Sequence, residues 1–329
     1  MNGLFPIQRT RVVTDFLGWA AIAHPLALLL APYSSLADLA TPFHELAIGS
    51  QLLAAGAALR WGPRLRSLGL IALALLGLDP LLRFSGPNPV VADTRGGDRL
   101  KVVVLNVYWK SDQHDVVRDY LGRESADVVG LIEVSSEWLE ALADLRATYP
   151  YRIERPGFGQ GLALWSRRPF VDGNGAIVMS RQGGPLATAV VPWDGATLRL
   201  WLVHPPCPIT FHGPDPSSTN GLLEVGRLIA SQGGRAIVFG DLNRTDGSPH
   251  FDAFQHTIGL RDSRLGFGRQ VSWPTWSPYR IALDHAFLSE DLAVLERALG
   301  PDVGSDHLPF RLVVAPASSA KTELSQSSE

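Results

Sequence analysis

Ala236-Ile237-Val238-Phe239-Gly240-Asp241-Leu242-Asn243 is the stretch on which the reading of this chain turns. An apolar run of strand length ends in a glycine, and a carboxylate and a carboxamide follow, two residues apart. Gly240 permits close backbone approach, and Asp241 and Asn243 can face the same cleft. Taken alone the motif is a weak signal, because Gly, Asp and Asn are common in turns. It gains weight from Gly304-Ser305-Asp306-His307 further on, just ahead of the apolar run Leu308–Val314.

Outward from this point the pattern repeats. From Leu100 onward, apolar β-branched runs alternate with amphipathic segments. Strands are predicted at Lys101–Val107, Val128–Val134, Gly161–Trp165, Ala187–Val191, Leu198–His204, Ala236–Phe239, Ala282–Leu288 and Leu308–Val314. Helices are predicted at Asp115–Glu124, Glu137–Thr148 and Thr219–Gln232. The mixture implies an α/β fold with two packed sheets flanked by helices. Polar residues recur where the strands end: Asn106, Glu133, His204, Asp241, Asn243, Asp284 and Asp306-His307. Strand ends along one edge can gather distant residues into one cleft.

Such a set suits metal-assisted phosphoester hydrolysis. That reaction needs an aimed water, neutralised phosphate oxygens and a stabilised leaving oxygen. Magnesium supplies part of each through one or two carboxylates. Glu133 is the leading metal ligand, and its alternative is a solvated strand-end carboxylate. Asn106 can hold a metal-bound water or a carboxylate, or it can be a turn residue. Asp241 can orient or deprotonate water, and Asn243 can donate to a phosphate oxygen. His307 can meet the phosphate if Asp284 orients its other nitrogen, which leaves Asp306 for the metal. His204 can be a second donor or can cap the loop at Pro205-Pro206. His285 points to the opposite face from Asp284 and reads as structural.

Residues 1–99 hold eight arginines against six carboxylates, whereas residues 100–329 carry 21 Lys and Arg against 26 Asp and Glu. An acidic catalytic region lowers the odds of duplex DNA as substrate. The single cysteine, Cys207, excludes an intrachain disulfide and a cysteine-rich zinc site. Three apolar stretches, Phe16–Pro32, Leu46–Leu59 and Leu65–Leu82, lead the chain. Each is marginal for a bilayer span of about 20 residues. Together they predict a three-helix transmembrane anchor over residues 1–84. Arg9, Arg11, Arg60, Arg64 and Arg66 place the N-terminus and second loop in the cytoplasm, and the catalytic domain outside it. Residues 85–99 read as a linker, 100–314 as the catalytic domain and 315–329 as a disordered tail.

The ordered set of Asn106, Glu133, His204, Gly240-Asp241-Leu242-Asn243, Leu283-Asp284-His285 and Ser305-Asp306-His307 resembles the endonuclease/exonuclease/phosphatase superfamily. That resemblance covers roughly residues 100–314 and implies a four-layer α/β sandwich like that of DNase I. It implies a magnesium or manganese ion held by Glu133, Asn106 and Asp306. Asp241 and Asn243 match the water- and phosphate-handling pair, Asp284 and His307 the histidine dyad, and His204 the phosphate-binding position. Tyr108 stands where some nucleases of the family carry an aspartate, which argues against a second metal site. With the anchor, His204-Pro205-Pro206 and Arg280-Ile281-Ala282-Leu283-Asp284-His285 resemble a bacterial membrane branch that includes teicoplanin-resistance accessory phosphatases. The expected substrate is then a lipid-linked phosphate such as a polyprenyl pyrophosphate, with the lipid bilayer as partner and multi-pass cell-membrane localisation. The alternatives are an extracytoplasmic nuclease or phosphodiesterase and, third, a non-catalytic membrane scaffold.

Overall fold

A computed structural model describes residues 19, 22–61, 64–76, 82–90, 98–173, 175–210, 213–215 and 217–318. In chain order its strands are β1 (Leu100–Asn106), β2 (Val128–Ile132), β3 (Tyr151–Arg155), β4 (Leu162–Ser166), β5 (Gly175–Ser180), β6 (Gly184–Trp193) and β7 (Ala196–Val203). The short ribbon β8 (Ile209–Thr210) and β9 (Gly213–Pro214) follows, then β10 (Ala236–Asp241), β11 (Arg261–Asp262), β12 (Asp284–Leu288), β13 (Leu292–Leu299) and β14 (Phe310–Pro316). One six-stranded sheet has the order β13-β14-β1-β2-β4-β3, and the other β11-β12-β10-β7-β6-β5. Each is mixed: β1 pairs parallel with β2, and β10 parallel with β7, while their other pairings are antiparallel.

The alternation of side chains along the strands builds three apolar layers. Val102, Val104, Ile132 and Leu164 of the first sheet meet Leu200, Leu202, Ile237 and Phe239 of the second in the central core. On the outer face of the first sheet, Val103 and Leu105 pack with Val117, Tyr120 and Leu121 of helix His114–Glu124, and with Trp138 of helix Ser136–Ala141. Beyond the second sheet, Trp201, Val203 and Val238 pack with Leu222, Val225 and Ile229 of helix Ser217–Gln232, and with Phe251 and Phe254 of helix Pro249–Ile258. The layers are therefore helix, sheet, sheet, helix, which fits the DNase I-like sandwich. The sheets come so close that a Cβ placed on Gly130 would lie 2.8 Å from the Phe239 ring.

The N-terminal expectation is overturned. Among the described residues, no helix is long and apolar enough to cross a membrane. Residues 22–30 are helical and give way to a 3-10 turn at Ala31–Tyr33. Helix His44–Trp61 carries His44, Glu45, Ser50, Gln51 and Arg60. Helix Arg64–Leu76 has 13 residues, about 20 Å of rise, against a hydrocarbon core of about 30 Å. The two helices pack on each other through Ala54, Ala55 and Leu70. The transmembrane bundle in the expected fold, the multi-pass localisation and the cytoplasmic and extracytoplasmic assignments built on it are thus not supported. Residues 16–18, 20–21 and 77–81 of the expected spans lie outside the described residues, as do residues 91–97 of the linker and 319–329 of the tail. At the end of the expected anchor, Phe84 is buried, and the Arg264 guanidinium lies 4.0 Å from its ring centroid.

Candidate active site

Strand register explains why distant residues meet. Asn106 ends β1 opposite Ile132 of parallel β2, so Glu133 leaves the sheet beside it. Asp241 ends β10 opposite Asp284 of antiparallel β12. Gly240 pairs with Val203 of parallel β7, which brings His204 alongside Asp241. The loop carrying Ser305, Asp306 and His307 leads into β14, the neighbour of β1.

The Asn106 amide joins the two sheets. Its Nδ2 donates to Glu133 Oε1 at 3.1 Å and to Asp241 Oδ2 at 3.2 Å. The Asn106 carbonyl accepts from the Ser305 hydroxyl at 2.6 Å, and Ser305 Oγ accepts from His307 N at 3.1 Å. His307 Nδ1 lies 2.7 Å from Asp284 Oδ2, while its Nε2 is 3.6 Å from Asp241 Oδ2. Asp284 Oδ2 also accepts from the Ser272 hydroxyl at 2.5 Å. His204 Nε2 stands 3.8 Å from Asp241 Oδ2. Asn243 Nδ2 donates to the Pro205 carbonyl at 3.0 Å, and its backbone N–H to Asp241 Oδ1 at 2.8 Å. Asn243 and Glu133 hold φ values of +52° and +63°, a left-handed conformation that costs a residue with a Cβ about 1–2 kcal/mol.

The charges are crowded in a buried place. Burial acts to lower the His307 pKa, but Asp284 and Asp241 outweigh it and hold the imidazolium up to about 10. Its Nδ1–H therefore donates to Asp284 and leaves Nε2–H for the pocket. Burial and the neighbouring Asp284 carboxylate push Asp241 up to about 7 against the opposing pull of His307. Burial would also raise Asp284, but His307 and the Ser272 hydroxyl bring it below its ordinary value. Burial and the His307 charge lower His204 to about 4, so it is neutral at pH 7. Glu133 is raised, mainly by burial.

Glu133 and Asp306 offer oxygen donors, the preference of a hard divalent cation, whereas Asn106 turns its Nδ2 to Glu133 and its Oδ1 accepts from Tyr108 N at 3.0 Å. Asp306 Oδ2 accepts from Trp273 Nε1 at 3.2 Å, whereas its buried Oδ1 has no hydrogen-bond partner. Glu133 and Asp306 line one pocket and act electrostatically on each other. The residues present thus fit the ion. Asp241, Asp284 and His307 also place ligand atoms within 4.8 Å of one another, but His307 Nδ1 is engaged by Asp284.

Sequence reasoning missed several residues here. Ser272 and Trp273 precede β12 and hold Asp284 and Asp306 respectively. Arg244 is buried directly after Asn243 and donates to the Ser218 hydroxyl at 2.8 Å. Cys207 and the segment around Leu39 and Phe43 also line the pocket. The aromatic run Trp273-Pro274-Thr275-Trp276 was the one visible signal, and it lacks a strand or helix period. His285 lies away from the dyad, with Nε2 2.8 Å from the Arg244 carbonyl and its ring against Phe251.

A profile of the Endonuclease/Exonuclease/phosphatase family matches residues 103–307. The chain belongs to that family. Its members are metal-dependent phosphoester hydrolases. Among solved structures, one similar to this chain is D. rerio TDP2 complexed with single strand DNA product, with a TM-score of 0.52 and 19% identity over 66% of this chain and 99% of that one. Another is an endonuclease/exonuclease/phosphatase from Beutenbergia cavernae, with a TM-score of 0.51 and 20% identity over 66% of this chain and 72% of that one. A family protein from Leptotrichia buccalis gives a TM-score of 0.51 and 16% identity over 65% and 98%. These likenesses establish the fold. No curated protein matches the chain.

Proposed function

We propose that the protein is a magnesium- or manganese-dependent phosphoesterase acting on a phosphoester or pyrophosphate bond of a substrate with a large apolar group. A lipid-linked phosphate such as a polyprenyl pyrophosphate has that character. One observation carries the reading. A pocket of about 580 Å³ runs from Glu133, Asp241 and His307 to Leu39, Phe43, Ile209 and Trp276. Its volume is in the range of small-molecule sites, and polar groups converge at one end of an apolar space. The likeness of His204-Pro205-Pro206 and Arg280–His285 to accessory phosphatases supports the same substrate class.

Glu133 and Asp306 would hold the cation, with Asn106 Nδ2 fixing the Glu133 carboxylate; when bound, the ion supplies charge neutralisation at the phosphoryl oxygens. Asp241 takes a proton from the attacking water, whose oxygen forms the new bond to phosphorus. The old P–O bond breaks toward the leaving oxygen. His307 Nε2–H donates to the phosphoryl group, with Asp284 fixing the ring and keeping it charged. Neutral His204 offers a further hydrogen bond without adding charge. Asn243, now on the Pro205 carbonyl, holds the loop next to Asp241 and can turn its amide to the phosphate.

A second reading is hydrolysis of a nucleic acid phosphodiester. The DNA product in the D. rerio TDP2 structure favours it, and the acidic balance of residues 100–329 opposes it. The test is a panel with magnesium or manganese: undecaprenyl pyrophosphate, phospholipids and DNA. Release of phosphate from the lipid substrates is expected. Cleavage of DNA alone would overturn the lipid reading, and no cleavage with any metal would favour a non-catalytic scaffold.

A further inference from the structure

The catalytic pocket has a wall that the family match does not reach. Residues 38–45 precede the matched region 103–307, yet Asp38, Leu39, Thr41, Pro42 and Phe43 line the same cavity as His307. Contacts with the catalytic domain hold this segment at several points. Asp38 is buried, accepts from the Ser248 hydroxyl at 2.6 Å and lies 3.4 Å from Arg244 Nε. The Thr41 and Thr245 hydroxyls are 3.3 Å apart. The Tyr279 hydroxyl lies 2.5 Å from the Pro42 carbonyl and 2.8 Å from Glu45 Oε2, and Glu45 also pairs with Arg269. Arg244, Thr245 and Ser248 belong to the loop that follows Asp241 and Asn243, so the segment is fastened beside the reacting groups.

Its apolar side chains have a use. Phe43 stacks on Tyr279 with 6.2 Å between ring centroids and 8° between planes. Phe43 is still 50% exposed and Trp276 is 79% exposed, although both line the cavity. Large aromatics left open at the apolar end of the pocket would be a cost without an occupant, since burying such a side chain stabilises by about 1.5–3 kcal/mol.

We propose that residues 38–45 are part of the substrate site, with Phe43 and Tyr279 receiving the hydrocarbon chain of a phosphorylated lipid and Asp38 keeping the segment seated. The inference rests on the phosphoesterase reading above and adds the residues that select the chain. Asp38 acts through Arg244 and Ser248, so it is a positioning residue.

The test is a chain-length series that keeps the diphosphate constant: isopentenyl, geranyl and farnesyl diphosphate, with phosphate release measured in the full-length protein. In the wild type, kcat/KM rises along the series, mostly through KM. Phe43→Ala lowers the farnesyl-to-isopentenyl ratio of kcat/KM by about tenfold, the scale of one lost aromatic contact. Tyr279→Phe keeps the ring but removes the hydroxyl contacts, and it lowers the ratio less. Asp38→Asn also flattens the series, again in KM. Thermal unfolding of each variant checks the fold, and half-exposed Phe43 gives a variant that folds. Hydrolysis of all three substrates at equal kcat/KM in the wild type would overturn this inference and leave the phosphoesterase reading standing. An unchanged ratio in Phe43→Ala would overturn it too. Hydrolysis of none of them, with DNA cleaved, would overturn the lipid reading beneath it.

Discussion

Asp241 and Asp262 are each 1% exposed, yet their carboxyl groups move in opposite directions. Burial acts to raise Asp262, but Arg264 outweighs it, with Nη2 2.8 Å from Asp262 Oδ2, and holds the group below its ordinary value. Arg264 also reaches toward Asp246 at 3.6 Å, and Arg269 approaches the same oxygen at 3.5 Å. In that cluster the Arg264 guanidinium answers Asp262, while burial still raises Asp246. At the catalytic end, Glu133, Asp241, Asp284 and Asp306 face the His307 imidazolium and a neutral His204, and Asp241 rises. The lesson is that burial alone does not mark a working charge. A divalent cation held by Glu133 and Asp306 would add positive charge at this end.

The comparison breaks first at the chemistry. Asp241→Ala and His307→Ala are each expected to lower kcat by about a thousandfold or more, since each removes a proton-handling or charge-stabilising group. Steady-state rates on the productive substrate measure it, and retention of wild-type activity in either would cancel the mechanistic assignment. At the other cluster, Arg264→Met should cost about 3–5 kcal/mol of stability by leaving Asp262 buried and unpaired. Urea unfolding reads that loss. Sign follows from the depressed Asp262 value: the pair's contribution is present above the unfolded carboxyl pKa and is lost as pH falls through the folded one. The variant should therefore lose that acid-side dependence.

A smaller effect separates metal from proton. Glu133→Gln is expected to weaken metal activation by about 10–100-fold, seen as a higher magnesium or manganese concentration for half-maximal rate. Smallest is the pH response. Activity should rise as Asp241 ionises, near pH 7 or lower once a cation draws its proton off, and fall as His307 loses its proton near pH 10. A kcat/KM profile with no acid-side fall even at about pH 4 would argue that Asp241 is not the base.

Much of the sandwich was legible because buried strands are short apolar runs: Val102-Val103-Val104-Leu105 and Ile237-Val238-Phe239 carry no competing signal. Strands β3 (YRIER), β5 (GAIVMS) and β13 (LAVLERAL) escaped, since charged or small residues break their alternation. Helix Ser136–Ala141 stops earlier than the amphipathic pattern implied and continues as a 3-10 turn over Ala143–Ala147. Polar residues at the ends of apolar runs pointed to Asn106, Glu133, His204, Asp241, Asp284 and His307; Glu133, His204, Asp241 and His307 line one pocket, and Asn106 and Asp284 bond to its residues from behind. Ser272 and Trp273 act from an irregular loop, so no period could announce them. The N-terminal reading failed for a related reason. Apolar composition alone does not distinguish a bilayer span from short helices that pack on one another, and residues 38–45 turned out to face the pocket.

One consequence follows from Gly240. A methyl group there would fall 1.9 Å from the Val203 carbonyl oxygen, and its φ of +150° is foreign to other residues. Position 240 is thus a point of zero tolerance in a saturation library selected for turnover, although its occupant never touches a reactant. Inactive alleles arising there would carry every reacting group intact, and their defect would be a misfit between two neighbouring ribbons of backbone.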